Sequence, residues 1–237
     1  MTGLLFPTPP VVTAPVRGRS ERIPVRRIFC VGRNYEAHAR EMGVAVDREA
    51  PFYFTKSAEH CVPSGSTVPY PPGTNNYHYE LELVAVMGVA AFRVSADQAT
   101  KSVFGYACGL DMTRRDLQFA AREQRRPWDL GKDVEQSAVL SEIVSASDIG
   151  HPSAGRIELR VNGEVRQSAD ISQLIHKVAE VIAKFCGSMT FVWVHVIWFG
   201  VWIVINVFAG LPHIDPFPFT FLTLVVSLEA IFLSTFI

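Results

Sequence analysis

The chain has 237 residues, a formal net charge of −1 and four widely spaced cysteines. The near-neutral charge argues against a protein that binds nucleic acid by neutralising phosphates. No two cysteines form a CxxC pair, which argues against a zinc site or a disulfide framework and is typical of a reducing compartment. Prolines interrupt the apolar residues of the N-terminal extension, residues 1–23, unlike in a signal peptide, so we expect that the first part of the chain is not secreted.

The first predicted elements are two strands with a helix between them. VRRIFCVGR, residues 25–33, predicts a strand that runs into a turn, and PFYFTK predicts a second, short strand. Between them, Asn34 is a candidate cap of a helix that Gly43 ends. His38 and Glu41 are three residues apart and therefore share a face of this helix. Spacing alone is equally consistent with ordinary surface residues.

The next predicted strand, NNYHYELELVAVMG, carries two glutamates on one face. Glu80 and Glu82 are two residues apart, and side chains at that spacing point the same way. Like charges on one face repel each other, whereas a divalent cation between them would offset the repulsion. Asp111, at the end of the next long strand, supplies a third carboxylate. From the pattern alone, a metal site and a solvated surface are equally supported.

The later elements predict the fold class. SVFGYACGLDMT predicts the strand that ends at Asp111, and RRDLQFAAREQ predicts a helix with Arg115 and Gln118 on one face. RIELRVNGEVRQS predicts a hairpin with an Asn-Gly turn. Residues 171–184, ISQLIHKVAEVIAK, predict an amphipathic helix. Many strands with few, short helices predict a β-rich α+β fold.

The composition changes abruptly after Lys184. No Lys or Arg follows it, and Asp215 and Glu229 are the only acidic residues beyond it. We therefore predict a boundary near residues 183–187. The predicted divisions are an N-terminal extension at 1–23, a folded domain at 24–184 and a membrane hairpin at 188–237.

The tail predicts two membrane-spanning helices, at about 190–210 and 218–237. FVWVHVIWFGVWIVINVFA is apolar except for His195 and Asn206, and a helix of about 20 such residues crosses the hydrocarbon core. The alternative is a buried helix pair, which the lack of a polar face disfavours. We therefore expect the tail in the inner membrane, in contact with lipid. Lys177 and Lys184 precede the first span and no basic residue follows, so we expect the N-terminal part to lie in the cytoplasm. The tail also resembles a family of small bacterial membrane proteins of unknown function.

Five motifs, in order, are similar to the fumarylacetoacetate hydrolase family. They are GRNYEAHAREMG, PFYFTKSAEHCVPSGSTVPYPP, HYELELVAVMG, GYACGLDMTRRDLQ and RPWDLGKDVEQSAV, and the resemblance covers about Pro24 to Ala183. It implies a β-roll fold, a homodimer, and Mg²⁺ or Mn²⁺ held by Glu80, Glu82 and Asp111. The resemblance therefore favours a metal site over a solvated surface.

The resemblance also implies a role for each remaining candidate residue. Glu41 orients His38, which takes a proton from water, and Lys132 stabilises developing negative charge. Arg115 and Gln118 lie near the carboxylate of the substrate. The implied reaction is hydrolysis of a carbon–carbon bond in a 2,4-diketo acid such as fumarylpyruvate or another acylpyruvate. Decarboxylation of oxaloacetate is the nearest competing chemistry.

The sequence departs from this family after Lys184. Members of the family continue into closing strands with a Thr-Gly-Thr-Pro-like loop that contacts substrate, whereas this chain changes to the apolar tail. We therefore expect an incomplete β-roll. Two functions stay open: a membrane-tethered hydrolase of diketo acids, and an inactive hydrolase remnant joined to a membrane protein. The hydrolase is expected first because every metal and dyad position is present.

Overall fold

The computed structural model describes residues 5–35, 51–185, 189–207, 215 and 219–223. The chain divides into two compact units, Met1–Cys186 and Gly187–Ile237.

Strands make up most of the described regular secondary structure of the first unit. In chain order, its described strands β1 to β13 are Thr13–Pro15, Arg22–Pro24, Ile28–Gly32, Phe52–Lys56, Cys61–Pro63, Tyr77–His78, Leu81–Met87, Val103–Asp111, Thr113–Arg114, Ala138–Leu140, Val144–Ser145, Arg156–Val161 and Glu164–Asp170. Its described helices α1 to α5 are Ala96–Lys101, Arg115–Glu123, Asp129–Lys132, Ala146–Ile149 and Val178–Phe185. Single 3-10 turns lie at Ala58–His60 and Ile171–Gln173.

The main sheet is organised around β8. β7 pairs antiparallel with one edge of β8, and β10 and β11 pair antiparallel with its other edge. β5 extends the sheet beyond β10 in the parallel direction. The other described strands form the two-stranded pairs β1–β2, β3–β4, β6–β9 and β12–β13. Short helices and a mostly antiparallel sheet confirm the predicted α+β class.

Most of the local predictions are confirmed. The expected strands are observed as β3, β4, β7 and β8, and the helix after Asp111 is α2. The predicted hairpin is β12–β13, and its turn residues Asn162 and Gly163 have φ values of 52° and 84°. A two-residue turn with both φ values positive matches the right-handed twist of the paired strands.

The helix predicted over residues 171–184 is wrong in its first half, because α5 begins only at Val178. The backbone N–H of Ile175 donates to the carbonyl oxygen of Asn34 at 2.8 Å. The Asn34 side chain bonds both the N–H and the carbonyl of His176. Backbone groups engaged in these contacts are not available for helical hydrogen bonds.

The two ends of β8 lie in different surroundings. An apolar core packs around its first half, with the fully buried members Ala14, Val16, Ala107 and Ile143. Near Asp111, at the other end, the buried residues are polar or charged, and they include Lys56, Thr113, Lys132 and Ser137. Buried polar groups are costly unless they are paired with one another. The polar end therefore marks the candidate site.

The second unit contains the helix α6, Met189–Val207. The transmembrane hairpin predicted at about 190–210 and 218–237 is not supported. Across the described ranges, no helix combines the length and the hydropathy that crossing a membrane requires. Most of the second predicted span lies outside the described residues.

A buried polar network, rather than an uninterrupted apolar surface, lies at the end of α6. The carboxylate of Asp215 accepts hydrogen bonds from the indole N–H of Trp202 and from the backbone N–H groups of Phe221 and Leu222. The side-chain oxygen of Asn206 accepts a hydrogen bond from the backbone of Asp215. The two polar residues, each 5 % exposed, thus join the end of α6 to residues 219–223 within the second unit.

Candidate active site

The three predicted carboxylates lie on one face of the main sheet. Glu82 pairs with Gly109 across the β7–β8 ladder. One step along, the backbone N–H of Asp111 donates to the carbonyl of Glu80 at 2.8 Å. Residues opposite each other in an antiparallel pair share a face, so Glu80 and Asp111 are direct neighbours and Glu82 lies beside them. This arrangement places like charges opposite each other, so their repulsion must be offset by nearby positive charge.

Lys132, the last residue of α3, compensates two of these carboxylates. Its Nζ lies 2.7 Å from Oε2 of Glu80 and 2.7 Å from Oδ2 of Asp111. The third ammonium hydrogen bond is donated to Oγ1 of Thr113 at 2.8 Å. Lys132 is only 2 % exposed. All three donors of a buried ammonium group are therefore satisfied, which is the condition for burying this charge.

Two more cations complete the cluster. Nη2 of Arg115 donates to Oε1 of Glu80 at 2.7 Å. Nζ of Lys56 lies 2.9 Å from Oδ1 of Asp111 and also donates to Oγ of Ser137 at 3.0 Å. Glu80 and Asp111 are therefore each paired with two buried cations. Glu82 makes no salt bridge with any described residue.

The close packing of α2 against α3 brings Arg115 and Lys132 to the same carboxylate. A Cβ atom on Gly131 would lie 2.8 Å from the backbone nitrogen of Gln118, closer than such atoms approach in folded proteins. The absent side chain at Gly131 therefore allows the contact. Gln118 is buried at this contact, with 2 % exposure.

Among the three carboxylates, Glu82 lacks a cationic partner of its own among the described residues. Burial, followed by the neighbouring carboxylates of Asp111 and Glu80, raises the pKa of Glu82 to about 8, although Lys132 opposes the shift. Burial disfavours the ammonium form of Lys132, but Asp111 and Glu80 outweigh it and raise the pKa of Lys132. Lys132 is therefore a permanent cation, and an additional cation would relieve the repulsion at Glu82.

The donor chemistry of this cluster fits a divalent metal ion. Glu80, Glu82 and Asp111 offer the oxygen atoms that Mg²⁺ and Mn²⁺ prefer, and their repulsion favours a cation. In the arrangement observed, no three His, Cys, Asp or Glu side chains of the described residues converge closely enough to hold a metal ion. Instead, the Lys132 ammonium group lies between Glu80 and Asp111.

Comparison with protein families identifies the first unit. Residues 27–209 match the C-terminal domain of fumarylacetoacetate (FAA) hydrolase. The chain belongs to the fumarylacetoacetate hydrolase family. Residues 186–237 match a second family, a protein of unknown function called DUF1003. The predicted hydrolase family is thus confirmed, and a separate family of unknown function accounts for the tail.

Individual hydrolase-family proteins resemble the chain over most of their length. It is 54 % identical over 144 residues to the fumarylpyruvate hydrolase of Ralstonia sp, which covers 60 % of this chain and 74 % of that protein. It is 40 % identical over 165 residues to a mitochondrial oxaloacetate tautomerase of Homo sapiens, covering 70 % of this chain and 74 % of that protein.

A solved structure shows the same fold. The crystal structure of fumarylpyruvate hydrolase from Pseudomonas aeruginosa, in complex with Mn²⁺ and pyruvate, superposes with a TM-score of 0.74 at 48 % identity. The match covers 78 % of this chain and 81 % of that chain. The predicted α+β family fold is therefore confirmed.

Three of the predicted site residues are buried in the structure. Lys132, Arg115 and Gln118 are buried within or next to the carboxylate cluster, so they are not the solvated residues that their spacing alone would allow. The predicted dyad, His38 and Glu41, lies outside the described residues.

The sequence analysis missed Lys56 of β4. Lys56 shares a face with Phe52 and Phe54 because the three residues alternate along the strand. A lysine on an otherwise aromatic face was the available signal, because an amine on such a face is buried and needs a buried anion. The structure supplies that anion as Asp111.

A cavity of 690 Å³ opens beside the carboxylate cluster of this hydrolase-family chain. Lys132 and Phe54 line it, and Nζ of Lys132 lies 4.7 Å from the centre of the Phe54 ring. The volume is in the range of small-molecule sites. The cavity therefore offers space for a substrate next to the charged cluster.

Proposed function

We propose that this chain hydrolyses a carbon–carbon bond in a 2,4-diketo acid, an acylpyruvate, with a divalent metal ion. The observation that carries the proposal is the buried Glu80–Lys132–Asp111 cluster with Glu82 beside it. Stability alone does not account for such a cluster, because buried ion pairs are seldom more stabilising than apolar packing. The similarity to a fumarylpyruvate hydrolase solved with Mn²⁺ and pyruvate supports the reaction class.

In this proposal, Glu80, Glu82 and Asp111 hold Mg²⁺ or Mn²⁺. The bound metal supplies Lewis acidity to the substrate oxygens. Arg115, through its 2.7 Å hydrogen bond to Oε1, fixes the orientation of Glu80. The residues of the cluster thus act as one preorganised unit.

The ammonium group of Lys132 stabilises the negative charge that develops as the carbon–carbon bond breaks. A buried cation in a fixed position is effective in this role because little reorganisation is needed during the reaction. We further propose that Gln118 contacts the substrate carboxylate, and that His38, oriented by Glu41, accepts a proton from the attacking water. The catalytic domain is proposed at residues 24–184, acting as a cytoplasmic homodimer.

A second candidate function is isomerisation or decarboxylation of oxaloacetate. The 40 % identity to an oxaloacetate tautomerase favours it. These reactions and the hydrolysis of an acylpyruvate all develop an enolate, so the Lys132 ammonium group would stabilise the negative charge in each of them. They differ in that hydrolysis consumes water and releases pyruvate with a carboxylic acid.

The test uses the purified full chain with Mg²⁺ or Mn²⁺. We expect an acylpyruvate to lose its diketo absorbance while pyruvate accumulates. The Glu82→Gln variant should lose about 100-fold or more in kcat/KM, the magnitude associated with removing one electrostatic contributor. Glu164→Gln, at a glutamate with a 71 % exposed side chain, is the matched control and should match the wild type.

Four results separate the alternatives. Release of pyruvate together with a carboxylic acid from an acylpyruvate confirms hydrolysis, whereas release of pyruvate with CO₂ from oxaloacetate would indicate decarboxylation. Enol–keto conversion of oxaloacetate without cleavage of any acylpyruvate would favour the second candidate. Metal binding without any turnover would identify an inactive hydrolase remnant.

A further inference from the structure

We propose that Asp133 is a positioning residue, which fixes the two lysines that pair with Asp111. These lysines are Lys56 and Lys132, and Asp133 acts on them through hydrogen bonds to the turn that follows Lys56. The inference rests on the proposed function for the part that Lys132 plays in the reaction. The positions of the two lysines can nevertheless be measured without turnover.

The two lysines reach Asp111 from elements that are far apart in the chain. Lys56 is the last residue of β4, and Lys132 is the last residue of α3. Their Nζ atoms lie 2.9 Å from Oδ1 and 2.7 Å from Oδ2 of Asp111. α3 has only four residues, and a helix of a single turn has little stability of its own. The end of α3 therefore needs an attachment to the β4 segment if both ammonium groups are to stay in place.

Asp133 provides this attachment, because both of its carboxylate oxygens bond the chain that follows β4. Its Oδ1 accepts a hydrogen bond from the backbone N–H of Ser57 at 2.8 Å, and its Oδ2 accepts one from the Ser57 hydroxyl group at 2.7 Å. Nδ1 of His60, in the Ala58–His60 turn, lies 2.7 Å from Oδ1. Hydrogen bonds to a carboxylate are about twice as strong as those between neutral groups.

The surroundings of Asp133 favour its charged form. Partial burial opposes ionisation, but the hydrogen bonds from the N–H and hydroxyl groups of Ser57 and from His60 outweigh it and lower the pKa of Asp133. The side chains of Asp133 and His60 are 21 % and 22 % exposed, at the rim of the buried cluster. The described residues that line the cavity include neither of them. Asp133 therefore acts through the lysines and not on the substrate.

The attachment lies one residue beyond each lysine. Ser57 directly follows Lys56, and Asp133 directly follows Lys132. Because the peptide bond is rigid, a shift between Ser57 and Asp133 is passed on to the backbone of both lysines. Nζ of Lys56 also donates a hydrogen bond to the carbonyl oxygen of Lys132. Releasing Asp133 from Ser57 should therefore displace both ammonium groups from Asp111.

The first test observes the lysine ammonium groups of the metal-free full chain by ¹⁵N NMR. Buried, hydrogen-bonded ammonium protons exchange slowly with water, so we expect resolved signals for Lys56 and Lys132, assigned with Lys56→Arg and Lys132→Arg. Asp133→Ala should shift or broaden both signals. Glu135→Ala, at an exposed glutamate two residues further on, is the control and should leave them unchanged. Unchanged signals in Asp133→Ala would overturn the proposal, as would fast exchange of both groups in the wild type.

A conservative variant separates position from charge. Asp133→Asn keeps an oxygen that accepts from the Ser57 N–H group, and its amide can donate to the Ser57 hydroxyl oxygen. We therefore expect Asp133→Asn to restore most of the ammonium signals and of the activity that Asp133→Ala loses. An equal loss in the two variants would show that the charge of Asp133 matters and not the position that its hydrogen bonds fix, and would contradict the proposal.

The second test measures kcat and KM for an acylpyruvate, with the folded fraction checked by circular dichroism. We expect Asp133→Ala to lower kcat about tenfold or more, since misplacing a catalytic group by 1 Å can cost about 100-fold. KM should change little, because the lysines stabilise charge that develops only in the transition state. Shifted ammonium signals with unchanged kcat would refute the positioning role and leave the proposed function intact. No turnover by the wild type, with ammonium signals that still depend on Asp133, would refute the proposed function and leave the attachment of the lysines intact.

Discussion

Lys132 and Asp111 form an ion pair of 2.7 Å between groups that are both more than nine-tenths buried. The pair joins the last residue of α3, a helix of a single turn, to the end of the central strand β8. Because both charged groups are buried, removing either one would leave the other as an unpaired charge out of contact with water. The consequences for stability and activity can be measured separately.

Replacing Lys132 by Met should impair both properties. The substitution leaves Glu80 and Asp111 with fewer cations in a buried environment, which should lower the free energy of unfolding by about 3 kcal/mol. Urea denaturation measures this loss, and turnover of an acylpyruvate should fall below detection. Lys101→Met, at an exposed lysine of α1, is the control. A Lys132→Met variant with unchanged turnover would exclude a role for this ammonium group in the reaction.

Glu82→Gln should have opposite effects on stability and on metal binding. In the metal-free protein, burial together with Asp111 and Glu80 raises the pKa of Glu82 to about 8, above its unfolded value. The fold therefore favours the neutral form, and this contribution to stability is fully present below the unfolded pKa and is lost as pH rises towards 8. Glutamine does not titrate, so the variant should not show this loss.

Denaturation of metal-free protein in chelator at pH 5 and pH 8 measures the difference. Between pH 5 and pH 8, we expect the free energy of unfolding of the wild type to fall by about 1–2 kcal/mol more than that of Glu82→Gln. This value is moderate because Glu82 is only partly buried. In calorimetry, the same variant should bind Mn²⁺ more weakly. A variant that is less stable than the wild type at pH 8 would show that Glu82 is not under repulsion.

Cys30 and Cys108 should differ in reactivity. Cys108 is exposed, whereas burial, reinforced by Asp111, raises the pKa of the Cys30 thiol to about 12. Because the thiolate is the reactive form, iodoacetamide at pH 8 should modify Cys108 at least about 100-fold faster than Cys30. Peptide mass spectrometry of the folded protein gives both rates. In urea the two rates should converge, and equal rates in the folded chain would contradict the raised pKa of Cys30.

Gly131→Ala should loosen the contact between α2 and α3. The added Cβ would meet the Gln118 backbone nitrogen at 2.8 Å, and overpacking of this kind costs about 1–3 kcal/mol. We expect a lower denaturation midpoint and, because Lys132 is the next residue, lower turnover. Leu130→Ala, at a 73 % exposed position in the same helix, is the control. If Gly131→Ala were as stable and active as the control, the close approach would not be needed.

Several elements of the first unit were predictable from the sequence because their determinants are local. Alternation predicted β4, β7 and β8, and the Asn162-Gly163 pair predicted the β12–β13 turn, since each depends on neighbouring residues alone. The shared face of Glu80 and Glu82 follows from the two-residue repeat of a strand. The predicted helix over 171–184 failed at its start because a distant residue, Asn34, bonds the backbone there.

The charges around those carboxylates depended on tertiary structure. Lys132 reaches Glu80 and Asp111 only because α3 packs against α2 at Gly131, and Lys56 reaches Asp111 from the separate β3–β4 pair. Nothing local in the sequence determines these contacts, since each joins residues far apart in the chain. A strand pattern thus predicts which carboxylates lie side by side. A buried charge is stable only where it is paired with an opposite charge. Which cations pair with these carboxylates depends on how other elements pack against the strand, and this is determined by the tertiary structure.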